Sequence, residues 1–124
     1  MVRRNRASAK KAGTAFETLI ARYLATHVDD RIERRRLSGS KDRGDIAGVR
    51  TAFGHRVVVE CKNTARLALA AWAGEADIAR GNDDAQVAVV AHKRHGVGAA
   101  GRQWVSMTLD DFVTLISGAR PDQP

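Results

Sequence analysis

An acid and a lysine alternate along one predicted strand of this sequence, and a second acid begins the strand before it. Residues 56–62 contain three valines in succession, which predicts a strand, and Glu60 and Lys62 therefore share one of its faces. Asp45 begins a shorter predicted strand over residues 45–49. If the two strands pair as a hairpin, Asp45 lies across from Glu60, and two carboxylates converge beside an ammonium group.

This combination of side chains favours metal-dependent hydrolysis of a phosphodiester. Two carboxylates held together repel each other unless a proton or a cation lies between them. Mg²⁺ binds to one or two carboxylates together with water and substrate phosphate, and a neighbouring lysine can stabilise developing charge or orient and deprotonate the attacking water. Taken alone, Glu60 and Lys62 would more often form an ion pair at the end of a strand.

Glu17 is a candidate third carboxylate. It lies at the edge of the apolar stripe of a helix predicted from Thr14 to about Thr26, so it can face the rim of the sheet. The spacing Thr14-x-x-Glu17 also matches a capping box, in which Glu17 only closes the N-terminus of the helix. From the spacing alone, the cap is the favoured interpretation.

The remaining elements predict an α/β domain with helices on a small central sheet. Helices are expected over residues 14–26, 67–80 and from Thr108 onward, and strands over residues 31–37, 45–49, 56–62, 86–91 and 103–107. We predict a flexible basic arm over residues 1–12, a single domain over residues 13–118 and a frayed tail over residues 119–124. Phe112, Leu115 and Ile116 give the last helix an apolar side.

The composition is that of an ordinary globular protein with a polyanionic partner. The chain has 124 residues, 44% of them hydrophobic, and a net charge of +7. Its single cysteine, Cys61, excludes an intrachain disulfide and a four-cysteine metal site. No apolar run is long enough to span a membrane and no secretory signal is evident, so we expect a cytoplasmic protein. The basic residues expected to contact nucleic acid are Arg3, Arg4, Arg6, Lys10, Lys11, Arg36, Lys41 and Arg43.

At this point the motifs resemble a known family. Gly44-Asp45 followed by Glu60-Cys61-Lys62 resembles the Asp…(Asp/Glu)-x-Lys signature of the PD-(D/E)XK nuclease superfamily. Over residues 13–63 the sequence is similar to archaeal-type Holliday junction resolvases and their phage relatives, while the C-terminal half matches only in its order of elements. The chain departs from the pattern at Gly44, where the family usually has proline.

The resemblance implies a restriction-endonuclease-like three-layer core, a central mixed sheet of about five strands flanked by helices, and a set of metal ligands. Asp45 and Glu60 would bind Mg²⁺ or Mn²⁺, helped by the backbone carbonyl of Cys61. Lys62 would position or activate the water. Glu17 would complete the metal site or act through a water molecule.

The resemblance also implies a substrate and a quaternary structure. Ser38 and Ser40 would contact the scissile DNA strand, and the protein would be a Mg²⁺-dependent endodeoxyribonuclease that resolves four-way junctions in recombination and repair, in a bacterial, archaeal or phage-infected cell. The predicted helix over residues 67–80 has two apolar stripes, so its second partner is either a twofold-related copy or the C-terminal helix. The resemblance favours the homodimer, because a junction needs two symmetric cuts.

Two alternatives stay open from the sequence. The chain could be another nuclease of the same superfamily, of the nicking, repair or restriction type. It could also be a non-catalytic basic module that only binds DNA or RNA.

Overall fold

Five strands form one mixed sheet, in the order β1-β2-β3-β4-β5, in a computed structural model that describes residues 5–36 and 39–123. The strands are β1 (Glu33–Arg34), β2 (Ile46–Ala47), β3 (Val57–Lys62), β4 (Val87–His92) and β5 (Trp104–Ser106). The helices are α1 (Arg6–His27), α2 (Leu69–Asn82) and α3 (Leu109–Ser117). Strands β3 and β4 are parallel and the other neighbours are antiparallel. The predicted α/β class with a five-stranded mixed sheet is confirmed.

Helices cover both faces of the sheet, because β3 and β4 are apolar on both sides. On one face α1 packs on the sheet in a cluster of buried residues, namely Phe16, Ile20, Ala21, Ile32, Ile46, Val57, Val59, Val87 and Ala91. On the other face α2 packs on it in a second cluster, namely Val58, Trp72, Ala76, Ala79, Ala85, Ala88 and Val90. The alternation along β3 thus sends odd-numbered side chains toward α1 and even-numbered ones toward α2, in a three-layer core.

The first helix begins earlier than predicted. Asn5 caps α1, its side-chain oxygen accepting a hydrogen bond from the Ser8 amide at 2.8 Å. The predicted flexible arm is therefore wrong for residues 6–12, where alanine, lysine and arginine all favour helix. Thr14 and Glu17 lie well inside the helix, which excludes the capping box. Residues 1–4, with Arg3 and Arg4, lie outside the described residues.

The apolar side of α3 is not its buried side. Thr108 caps the helix as predicted, accepting a hydrogen bond from the Asp111 amide at 3.2 Å. The side that packs on the sheet presents Asp111 and Thr114, both buried. Phe112 and Ile116 are instead 46% and 62% exposed, so two of the three residues on the predicted apolar side face outward, while Leu115 is partly buried.

The end of the described chain is fixed, and the predicted frayed tail over residues 119–124 is wrong at Arg120. This side chain is 8% exposed. Its Nη1 lies 2.7 Å from Asp111 Oδ1 and also donates to the Gln86 carbonyl at 2.9 Å. A buried ion pair with a backbone hydrogen bond holds this segment against β4.

Helix α2 covers the sheet with only one of its two stripes. Trp72 and Ala76 are buried, whereas Ile78 on the other stripe is 66% exposed, and Leu67, just before the helix, is 67% exposed. Helix α3 therefore does not cover this second stripe. No helix formed by residues 5–36 or 39–123 combines the length and the hydropathy needed to span a bilayer.

Candidate active site

The hairpin of β2 and β3 brings Asp45 opposite Glu60. Ile46 pairs with Val59 in antiparallel register, and the Asp45 amide donates to the Val59 carbonyl at 2.8 Å. The orientation of the Asp45 carboxylate is fixed by β3, because its Oδ2 accepts a hydrogen bond from the Cys61 amide at 2.7 Å. The strand pairing expected from the sequence is thus present, and it fixes the orientation of one of the two carboxylates.

Gly44 allows the chain to pass close to β3 just before Asp45. Its φ is 91°, a conformation that proline cannot adopt. A Cβ atom at this position would lie 2.9 Å from Val58 Cγ1 and 3.2 Å from the Val59 carbonyl oxygen. The turn before Asp45 therefore needs glycine at this position.

Glu60 is a buried carboxyl group with an unpartnered oxygen. The residue is 4% exposed, and its Oε1 has no hydrogen-bond partner among the described residues. Burial raises the pKa of Glu60 to about 9, and the charge of Asp45 and the adjacent Asp42 carboxylate act in the same direction. Burial also raises the pKa of Asp45, although the hydrogen bond from Cys61 opposes this. Without a cation, Glu60 is therefore protonated at neutral pH.

Glu17 lies near Asp45 but is paired with a strand residue. Its Oε2 is 3.3 Å from Arg34 Nη1, and both side chains remain partly exposed. Burial raises the pKa of Glu17, and the charge of Asp45 raises it further. Glu17 thus contributes a third acid at the α1 side of the site.

Lys62 is held by α2. Its Nζ lies 2.5 Å from Glu75 Oε2. Burial lowers the pKa of Lys62, but the hydrogen bond to Glu75 and the charges of Glu60 and Asp45 outweigh this, so the pKa is raised overall. The lysine is therefore an ammonium group in a fixed position. Glu75 was not predicted from the sequence. The pattern that could have indicated it is its position three residues after the sheet-facing Trp72, on a neighbouring part of the helix surface.

Asp42 is a second residue that the sequence analysis missed. Its Oδ1 accepts a hydrogen bond from the Gly44 amide at 2.8 Å, and its carbonyl accepts one from Asn82 Nδ2 at 2.7 Å. These bonds fix the loop before Asp45 and bring a further carboxylate beside Glu60. The sequence pattern that could have indicated Asp42 is an acid three residues before Asp45 in a glycine-containing loop.

A cavity of about 370 Å³, termed here the active-site cavity, opens over this group. Three acids line it, Glu17, Asp42 and Asp45, whereas Glu60 and Lys62 are not among its lining residues. Its basic lining residues are Lys10, Arg34, Arg35, Arg36, Lys41 and Arg43. Four of the predicted nucleic-acid contacts, Lys10, Arg36, Lys41 and Arg43, are among them. Of the others, Arg6, Lys11 and Ser40 are exposed but are not lining residues, and Arg3, Arg4 and Ser38 lie outside the described residues.

The donor atoms at this site fit a hard divalent cation. In the described parts of the chain, no three His, Cys, Asp or Glu side chains form a preformed metal-binding group. Mg²⁺, however, needs only one or two carboxylates with water and phosphate, and Glu60 supplies a buried oxygen without a partner. The Cys61 amide donates a hydrogen bond to Asp45. Because the amide and the carbonyl of one strand residue point to the same neighbouring strand, the Cys61 carbonyl also points toward Asp45's side of the hairpin. Metal binding by these residues stays a prediction.

The raised pKa of Glu60 predicts a pH-dependent stability difference for Glu60→Gln in metal-free protein. The unfolded chain ionises Glu60 near its ordinary pKa of 4.5, whereas the folded protein keeps the proton to about 9. The stability that the protonated group contributes is therefore lost progressively as pH rises between these values. Glutamine has no such dependence, so we expect a melting temperature about 5 °C or more above wild type at pH 8.

The difference should shrink toward zero at pH 4, where both states of the wild type are protonated. Thermal melts in EDTA across this range measure it, and the exposed α2 substitution Asp77→Asn is the control. A constant offset at all pH values would show that the burial of Glu60 does not perturb its ionisation.

Comparison of the chain with protein-family models, curated proteins and solved structures finds no significant match.

Proposed function

We propose that the protein is a metal-dependent DNA endonuclease that hydrolyses phosphodiester bonds. One observation carries the proposal: Asp45 lines a strongly basic cavity and lies directly across the β2–β3 hairpin from the buried Glu60. A basic wall suits a polyanionic backbone, and a pair of carboxylates suits a cation that a phosphate also binds. Neither feature alone would indicate hydrolysis.

Each group of side chains has a separate role in the proposed reaction. The basic wall binds the phosphate backbone, and Asp45, Glu60 and the Cys61 carbonyl would hold Mg²⁺ or Mn²⁺. Such an ion, when bound, polarises the phosphoryl group and lowers the pKa of a bound water. Because the pKa of Lys62 is raised, the lysine is an ammonium group that stabilises the negative charge developing on the phosphate. Glu75 fixes the position of this ammonium group.

The more specific proposal is a Holliday junction resolvase acting as a homodimer. The resemblance over residues 13–63 supports it, and so does the outward-facing apolar surface. Phe112 and Ile116 on α3, and Ile78 on α2, are side chains that a second copy could cover. Light scattering at several concentrations tests the dimer; a monomer at all concentrations would contradict it.

Two observations favour a non-catalytic nucleic-acid-binding module instead. No preformed metal-binding group exists within the described residues, and Lys62 is paired with Glu75. A nicking, repair or restriction-type nuclease would use the same site as the resolvase. Only the substrate and the presence of cleavage separate these three functions.

The experiment uses a synthetic four-way junction and a linear duplex that contains the same arm sequences, each with Mg²⁺ or with EDTA. Mg²⁺-dependent cleavage of the junction alone supports a resolvase. Equal cleavage of the linear duplex supports another nuclease on this site. Binding without cleavage in Mg²⁺ or Mn²⁺ supports the non-catalytic module and contradicts the proposal.

A further inference from the structure

A second cavity, of about 290 Å³, lies on the β2–β3 hairpin and adjoins the active-site cavity. Its charged lining residues are Arg35, Arg43, Arg50, Arg56 and Asp83, and we term it the four-arginine pocket. Arg35 and Arg43 line both cavities. No role was predicted from the sequence for Arg35, Arg50 or Arg56.

The positive charge of this pocket is largely uncompensated. Asp83 faces the four arginines, and its Oδ1 lies 3.7 Å from Arg35 Nη2, a long ion pair. Arg50 and Arg56 each donate to a neutral carbonyl, those of Gly54 at 2.9 Å and Asp83 at 3.0 Å. Within residues 5–36 and 39–123, neither makes an ion pair. Each guanidinium has five N–H donors, so most of them remain available to an anion.

Two of the arginines stand directly opposite each other. Arg50 and Arg56 form an antiparallel bridge between the two strands of the hairpin. Residues opposite each other in such a pair project to the same face, and like charges there are destabilising. A bound anion would relieve this repulsion, and a phosphate accepts two parallel N–H bonds from a guanidinium.

We propose that the four-arginine pocket binds a backbone phosphate of the DNA substrate, away from the phosphate that is cleaved. The inference rests on the proposed function. Arg56 lies four residues before Glu60 on the same chain segment, about 13 Å at the spacing of a strand. This separation is too long for a single phosphate to reach both positions, so the pocket would hold a different phosphate of the backbone. The shared residues Arg35 and Arg43 make the basic surface continuous between the two cavities.

The test compares two variants with the same charge change in metal-free buffer, where no cleavage occurs. Arg50→Gln/Arg56→Gln removes two charges from the pocket, and Arg22→Gln/Arg102→Gln removes two exposed charges that line neither cavity. Fluorescence anisotropy with a four-way junction gives Kd over a range of salt concentrations. We expect the slope of log Kd against log salt to fall by about one in the pocket variant, the loss of one phosphate contact, and to stay unchanged in the control.

A third variant separates charge from folding. Arg50→Lys/Arg56→Lys keeps both charges and should retain the wild-type slope even if hydrogen bonds in the hairpin are weakened. If the double glutamine variant does not fold, Arg50→Gln alone replaces it. An unchanged slope in the pocket variant, or an equal fall in the control, overturns the inference.

Cleavage assays on the same variants distinguish this inference from the proposed function. A smaller salt slope in a protein that never cleaves supports the phosphate site and contradicts the nuclease. Cleavage with an unchanged slope contradicts the phosphate site alone. A wild type that binds no DNA contradicts both.

Discussion

Asp45→Asn and Glu60→Gln should each reduce cleavage of a four-way junction in Mg²⁺ by about a thousandfold or more. Each change replaces a carboxylate with a neutral amide of almost the same shape, so the charge that would hold the cation is lost. Asparagine at position 45 can still accept the hydrogen bond from the Cys61 amide, which preserves the local structure. Single-turnover cleavage of a labelled junction measures the loss.

Binding should survive these substitutions. The basic wall of the active-site cavity is unchanged, so the junction Kd in metal-free buffer should remain within about threefold of wild type, or tighten as repulsion from phosphate is removed. The control Asp77→Asn removes an acid from the outer side of α2 and should leave both cleavage and binding unaltered. Wild-type turnover in either site variant would contradict the assignment of Asp45 and Glu60.

Asp111→Asn should lower the free energy of unfolding by about 3–5 kcal/mol, a large part of the stability of a domain this size. Asp111 Oδ1 accepts hydrogen bonds from Arg120 Nη1 at 2.7 Å and from the Ala88 amide at 3.2 Å. The substitution leaves the Arg120 guanidinium in the protein interior without a full counter-charge, although Asp122 still pairs with its Nε at 2.9 Å. Urea unfolding followed by circular dichroism measures the change.

An exposed ion pair provides the matched control. Asp77 pairs with Arg80 on the same helix at 2.9 Å, and the Asp77 side chain is 65% exposed. Asp77→Asn should therefore cost no more than about 0.5 kcal/mol. Similar losses for the two substitutions would show that the burial of the Asp111–Arg120 pair does not determine its contribution.

The local features of the candidate site were predictable from the sequence. The valine run of β3 predicted a strand, and alternation along it placed Glu60 and Lys62 on one side. Asp45, at the start of a strand before a turn, predicted the hairpin that the structure contains. These inferences succeeded because strand period and hairpin pairing depend on residues close in the chain.

Terminal boundaries were less predictable. The basic composition of residues 6–12 suggested a flexible arm, but helix propensity and the Asn5 cap extend α1 through them. The apolar stripe of α3 suggested a buried side, whereas burial of Asp111 with Arg120 turned that stripe outward. In α1 a polar cap and helix propensity together outweighed the basic composition, and in α3 a buried ion pair outweighed the apolar stripe.

The sequence by itself thus determined an α/β domain with a pair of acids and a lysine on adjacent strands. The tertiary structure decided which partners those residues have. Glu75 reaches Lys62 only because α2 packs on the even-numbered face of β3, and Asp83 joins the arginines of the four-arginine pocket only because the end of α2 lies near Arg35. Such contacts join residues far apart along the chain, and their geometry depends on how whole elements pack, which no local pattern of residues specifies.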